Sequence, residues 1–266
     1  MVARRLLATD LDGTFLGDAD AMHRLWQQVD DVGITVAFST GRHLPSIEAF
    51  YTESGTDHRA AACVCMVGTE IWHASNDGYV IDEGWSETIS ESWDKYGVET
   101  VLRGISGAVL QPEEWQSRFK SSYFLEDDAE AQLAKIREGL QERGIEAKVV
   151  YSAGRFLDLL PSRSGKGGAV SYLADLLGIA PGSVITAGDT GNDLDMMRPD
   201  LGFRSIAVGN ASPELRVYRA PNVYHATASF AAGIQEGLHH YGWLAEQANR
   251  SPSEISTREG PSRDQN

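Results

Sequence analysis

Short apolar, β-rich runs in this chain break off abruptly into glycine and polar residues, and a helical pattern usually follows before the next run begins. Leu6–Asp10 closes on an acid, Ile34–Thr40 closes on two hydroxyls, and Val184–Gly188 runs straight into Asp189. Between the first two, Asp20–Asp31 carries Met22, Leu25, Trp26 and Val29 on one helical face and is stopped by Gly33. Gly41 and Arg42 open a helix that runs to about Tyr51, and Cys63–Val67 is a third strand that turns at Gly68. Strands alternating with helices pack as βαβ units, which implies a parallel sheet with helices on its faces. In such a sheet the loops at the carboxyl ends of the strands gather along one edge, where ligands bind.

From about Asp82 to Pro161 the pattern changes to long polar helices and shorter strands. Ser86–Arg103 reads as one helix bearing Ile89, Trp93, Tyr96 and Val101, and Phe119–Leu125 as a half-buried strand. Asp128–Arg143 reads as a helix closed by Gly144, with Ala147–Tyr151 and Phe156–Leu160 as strands. The first pattern then resumes with the helix Lys166–Leu177, the strands Val184–Gly188 and Ser205–Val208, and a helix from Ser229 to about Trp243. The predicted architecture is α/β: a doubly wound, Rossmann-like parallel-sheet core from residues 1–81 and 162–245. A smaller α/β domain, residues 82–161, is inserted into it. Residues 246–266 hold almost nothing apolar and are expected to form a disordered tail.

A length of 266 residues is enough to bury such a core. The formal net charge of −15, from 38 acidic and 23 basic residues, leaves no basic face for nucleic acid or an anionic membrane. No stretch is long enough to span a bilayer, and Asp10 ends the opening apolar run too early for a signal peptide. Cys63 and Cys65 would share one side of a strand and read as small buried core residues. Low cysteine use fits a reducing cytoplasm.

Four polar segments carry the chemistry. Asp10 and Asp12, two apart beyond a buried strand, point the same way, and Gly13 lets the chain turn sharply. Such a pair can hold a hard cation, or one carboxylate can attack while the other handles a proton. Ser39–Arg42 offers hydroxyls beside the backbone N–H groups of a helix start, which suits a phosphate oxygen. Lys166, between Gly165 and Gly167, is a compact positive charge in the first turn of a helix. Gly188–Asp193 supplies two more carboxylates and the amide of Asn192 around tight turns. An acidic chain does not attract an anion at long range, so local charge such as Lys166 must do so. Residues 162–167 are not a P-loop, because the first glycine is missing and no Ser or Thr follows the lysine. Asp10–Thr14 lacks the Gly and Glu of an EF-hand loop.

In order and spacing these four segments resemble the motifs of the haloacid dehalogenase superfamily of phosphohydrolases. The insertion between the second and third segments resembles the type with a C2 cap domain. Within that group the chain is similar to the sucrose-phosphate phosphatase family, on Val67–Trp72, Leu110–Glu113, Arg118–Phe124 and Leu157–Pro161. The resemblance implies a Mg²⁺-dependent phosphatase acting on sucrose 6-phosphate or a similar disaccharide phosphate. Enzymes for mannosylfructose phosphate and glucosylglycerol phosphate are built alike. It implies Asp10 as nucleophile and Asp12 as proton donor and acceptor. Thr40, Gly41, Lys166 and Asn192 would hold the phosphate; Asp10, the carbonyl of Asp12, Asp189 and Asp193 would serve the metal. Gln111, Glu113, Gln116 and Lys120 are the candidate sugar contacts in the cap, while Trp115 and Phe119 are expected to pack it. The expected partners are a small phosphorylated sugar and the cognate sugar-phosphate synthase. A rival from another class is a phospho-accepting regulatory domain, which also combines an acidic cluster, a Thr and a Lys. Asp12, two residues after Asp10, and a cap-sized insertion stand against it.

Overall fold

The computed structural model describes residues 4–91, 93–125 and 128–245; the tail expected at 246–266 lies outside them. Numbered in chain order, β1 (Arg5–Thr9), α1 (Ala19–Asp31), β2 (Ile34–Ser39), α2 (Leu44–Ser54) and β3 (Ala62–Cys65) form the first βαβ series. Side chains along β1 alternate between two cores. Leu7 packs with Phe15, Leu25, Trp26 and Phe38, while Leu6 and Ala8 pack on the opposite face with Val170 and Leu173. A strand buried on both faces reads as an unbroken apolar run, which is why these strands were visible in the sequence.

Two further strands follow, β4 (Glu70–Ser75) and β5 (Gly78–Ile81), which no sequence pattern announced. β4 is antiparallel to β3 and β5 to β4, and the two close one edge of the sheet. β4 mixes polar residues with Ile71 and Trp72, and β5 is only four residues long; both are partly exposed, so they lack the long apolar run of the central strands. After the insertion, α6 (Lys166–Leu176), β10 (Val184–Gly188), β11 (Arg204–Ala207), α7 (Pro213–Val217), β12 (Val223–His225) and α8 (Phe230–His240) complete the core. The strand order is β12-β11-β10-β1-β2-β3-β4-β5, parallel from β12 to β3. The chain winds outward from β1 through β2 and, later, outward from β10 through β11. The order therefore switches direction between β1 and β10, and loops leaving these strands diverge around a crevice.

The insertion carries α3 (Glu83–Ser90), α4 (Lys95–Arg103), β6 (Ala108–Leu110), β7 (Ser121–Leu125), α5 (Ala129–Glu142), β8 (Ala147–Ser152) and β9 (Phe156–Pro161). Its sheet, β6-β7-β9-β8, is antiparallel throughout. The single helix expected over Ser86–Arg103 is two helices. Asp94 caps the second by accepting the Gly97 N–H at 2.9 Å, which starts a new helix rather than continuing the old one. Trp85 and Ile89 of α3 pack into the core of the large sheet, although they follow residue 82. The cap's own core begins with Val98 and joins α4 and α5 to Tyr123, Leu125, Leu157 and Leu159 on one face of the small sheet. The alternate residues of β7 and β9, including Phe156 and Asp158, face away from that core.

Candidate active site

Asp10 continues β1 for one residue, its N–H donating to the Ala187 carbonyl of β10 at 2.8 Å. The chain then turns at Gly13, in the left-handed region with φ 77°. A Cβ there would collide with the Asp189 carboxylate, so glycine is required. Asn210 donates to the Gly13 carbonyl at 2.7 Å and accepts the Phe230 N–H at 2.9 Å, pinning the turn to α8. Sequence reasoning missed Asn210. Its position after a buried strand in Gly209–Ala211 was the available signal.

Lys166, the first residue of α6, is completely buried. Its Nζ donates to Asp10 and Asp193 at 2.6 Å each and to Asn192 at 3.1 Å. Burial alone would lower its pKa, but the two carboxylates outweigh it and raise the value. Burial pushes Asp10 up; Lys166 opposes this, and the Asp193 and Asp189 charges add to it. Burial and the Asp193 charge likewise push Asp189 up to about 6, against a 3.0 Å hydrogen bond donated by Thr14. Oxygens of Asp10, Asp189 and Asp193 lie within 4.8 Å of one another. Three crowded carboxylates against one ammonium leave surplus negative charge, and an all-oxygen donor set of this kind fits a hard divalent cation. Asp193 also accepts the N–H groups of Asp189 and Thr190 at 3.0 Å each, which fixes the loop.

Above this charged floor opens a cavity of about 660 Å³. Asp10, Asp12, Thr40, Gly41, Arg42, Met66, Val67, Thr190 and Asn192 line its core side. The Thr40 hydroxyl accepts the Arg42 N–H at 3.1 Å. Thr40 and Arg42 also hold the turn after β3, where Met66 and Val67 take positive φ of 51° and 60°. That conformation ends the strand at Cys65 rather than Val67, and such strain gathers at functional sites. Asp12 lines the cavity, but its side chain is absent from the acidic cluster and 56 % exposed. Arg42 holds it by two hydrogen bonds, Nε to Oδ2 at 2.7 Å and Nη2 to Oδ1 at 2.5 Å.

Gln111, Glu114, Trp115, Lys120, Ser152, Phe156 and Asp158 line the cap side. Of the four expected sugar contacts, Gln111 and Lys120 are brought to the cavity. Glu113 is not: the tight turn Glu113–Trp115 presents Glu114 and Trp115 instead. Gln116 is not either, because its amide is spent on the backbone of Gln111 and Ser122. Trp115 packs against the cap rings of Phe124 and Phe156, as expected, and its remaining surface, 42 % exposed, lines the cavity. Phe119 is buried, but in the cluster that contains Trp85 and Ile89. Lys120 pairs with Asp158 at 3.6 Å, and Ser122 donates to the same carboxylate at 2.5 Å.

A family model described as sucrose-6F-phosphate phosphohydrolase matches residues 3–242. A mannosylfructose-phosphate phosphatase of Agrobacterium fabrum is 35 % identical over 244 residues, covering 90 % of this chain and 97 % of that protein. Sucrose-phosphatase 1 of Nicotiana tabacum is 30 % identical; 96 % of this chain is matched, to 63 % of the longer plant protein. The sucrose-phosphatase of Synechocystis sp. PCC6803, solved in complex with sucrose and phosphate, superposes with a TM-score of 0.83 at 30 % identity. That match covers 91 % of this chain and 99 % of the other. No helix among the described residues is long and apolar enough to cross a membrane.

Proposed function

This chain belongs to the sucrose-6F-phosphate phosphohydrolase family, and from that premise we propose that it is a Mg²⁺-dependent phosphatase of a fructose-containing disaccharide phosphate. Asp10 is the nucleophile. One observation carries this: its carboxylate lies at the floor of the cavity, held by the buried ammonium of Lys166. One Asp10 oxygen attacks phosphorus, the new O–P bond replacing the bond from phosphorus to the sugar oxygen. Asp12 gives that oxygen a proton, then takes one from the water that cleaves the aspartyl phosphate and frees Asp10. To do so, Asp12 exchanges at least one of its Arg42 hydrogen bonds for the sugar oxygen or the water.

Asp10, Asp189 and Asp193 would hold Mg²⁺, which supplies charge neutralisation at the phosphoryl oxygens. Asp10 and a phosphate dianion repel by roughly 4 kcal/mol per charge pair at about 4 Å and an effective dielectric near 20. Lys166 offsets that from below, with Thr40, Gly41 and Asn192 as the remaining phosphate donors. The sugar lies against the cap, where Trp115 and Phe156 offer ring faces, and Gln111, Lys120 and Asp158 offer polar groups. The test is phosphate release from sucrose 6-phosphate, mannosylfructose phosphate and glucosylglycerol phosphate, with and without Mg²⁺. Turnover of at least one of the two fructosides, abolished by chelation, is expected. Failure with both, or undiminished turnover in chelator, contradicts the proposal.

A further inference from the structure

The two glycines that flank Lys166 have no part in the chemistry above, yet neither position has room for a side chain. A Cβ at Gly165 would fall 2.5 Å from Asp195 Oδ2 and 2.6 Å from Lys148 Nζ. One at Gly167 would collide with the Asp195 carbonyl oxygen. At Gly165 the space is taken by a pair of charges, and at Gly167 by the backbone of one member of that pair. Lys148 stands on β8 of the cap and Asp195 in the core turn Gly191–Met197. Their Nζ to Oδ1 and Oδ2 distances are 3.0 and 3.2 Å, and the side chains are only 23 % and 17 % exposed.

Asp195 has a second role in the same geometry. The helix that begins with Lys166 has no side chain to cap it, because its N-cap position is Gly165. The first N–H groups of a helix have no partners within it, and a carboxylate there is favoured by both hydrogen bonding and the helix dipole. Asp195 supplies that carboxylate from another part of the chain, accepting the Gly167 N–H at 2.8 Å. Asn192 and Asp193, on the same turn, accept from Lys166 Nζ. One turn therefore holds the lysine from two sides, its ammonium through Asn192 and Asp193 and the backbone of the next residue, Gly167, through Asp195.

We propose that Asp195 is a positioning residue for Lys166, and that Lys148 makes this positioning depend on the cap being seated. The inference rests on Lys166 as the cation of the phosphate site. With the cap seated, Lys148 holds the Asp195 carboxylate against α6. With the cap displaced, Asp195 loses that cation and turns to Arg198, whose Nε already lies 3.8 Å away. The Gly167 N–H is then released and the first turn of α6 loosens. The phosphate site is thus complete only under a closed cap, which couples substrate enclosure to the placement of positive charge.

The experiment compares Lys148→Met, Asp195→Ala, their double variant and Lys148→Arg, by Mg²⁺-saturated turnover of whichever of the two fructoside phosphates the wild type hydrolyses and by hydrogen exchange of the Gly167 amide. Each of the first two lowers kcat about five- to tenfold while KM moves less than twofold. The double variant is no worse than the poorer single one, Lys148→Arg recovers most of the activity, and Gly167 exchange accelerates in both single variants. Multiplicative losses, unchanged kcat, or losses that follow a lowered Tm with Gly167 exchange unaltered would overturn it. Lys166→Ala is assayed alongside: if it retains turnover, the phosphate assignment fails, whereas the exchange data still decide whether the pair secures α6.

Discussion

Replacing Lys166 by methionine keeps the apolar stem and removes only the charge, so it isolates what the buried ammonium does. Its Nζ lies 2.6 Å from both Asp10 and Asp193. At an effective dielectric near 20, each contact is worth about 6 kcal/mol of gross attraction. Most of that is cancelled by the desolvation of the buried lysine, which the substitution relieves. Removing one partner of a buried ion pair costs about 3–5 kcal/mol net, because the remaining charge is left uncompensated. The metal-free variant should therefore be about 3–5 kcal/mol less stable at pH 8. For a urea slope of about 2–3 kcal/mol/M this lowers the midpoint by about 1–2.5 M.

The deficit must also depend on pH. A carboxyl whose folded pKa lies above its unfolded value of about 3.9 contributes stability that is fully present below that value. That stability is lost as pH rises through the folded pKa. In the wild type Asp189 is pushed up to about 6 and Asp10 is raised, with Lys166 opposing both shifts. Without Lys166 both rise further, and the carboxylates relax by taking up protons as pH falls. Urea denaturation in chelator should show the gap between variant and wild type narrowing from pH 8 to about pH 5. Equal stability at pH 8, or a gap that does not change with pH, would refute a buried charge cluster around this lysine.

Mg²⁺ binding should strengthen as pH rises through about 6, because the ion must displace protons held by Asp189 and Asp10. Calorimetry in two buffers of different ionisation enthalpy should report proton release at pH 6, and none counts against the acidic cluster as the metal site. Asp12→Asn should slow sugar-phosphate turnover about 10²–10³-fold, the range of a lost general acid. With p-nitrophenyl phosphate, whose phenolate leaves without a proton, the first burst of nitrophenolate should stay nearly intact while the steady state after it slows; a burst slowed as much as sugar-phosphate turnover would remove Asp12 from the acid role. Trp115→Ala should raise KM for a disaccharide phosphate about five- to tenfold, the scale of one aromatic contact of roughly 1 kcal/mol or more. An unchanged KM would return Trp115 to a packing role.

The core of the fold was legible because parallel strands buried on both faces leave continuous apolar runs, and their polar ends then stand out. Asp10, Thr40, Lys166 and Asp189 were singled out in this way, from distant parts of the chain. The edge strands β4 and β5 were not, because β4 mixes polar residues with apolar ones and β5 is only four residues long. In the cap, the tight turn Glu113–Trp115 decides which side chains meet the cavity, and residue type alone does not encode that rotation. Gln116 looks like a sugar donor in sequence, but its amide bonds the backbone of Gln111 and Ser122. Asp195 and Lys148 are 47 residues apart, so no local pattern pairs them. The glycines around Lys166 carried that information, but only the packed structure explains why a side chain is excluded there.

The identity of the phosphoryl acceptor is tested most directly by trapping it. Asp12→Asn, which should accumulate the intermediate from a substrate whose leaving group needs no proton, is mixed with Mg²⁺ and p-nitrophenyl phosphate, quenched in acid and reduced with borohydride, which converts an acyl phosphate to an alcohol. Peptide mass spectrometry should find homoserine at position 10 and at no other acid. Reduction at a different residue, or no reduced residue while phosphate is still released, would contradict Asp10 as the nucleophile.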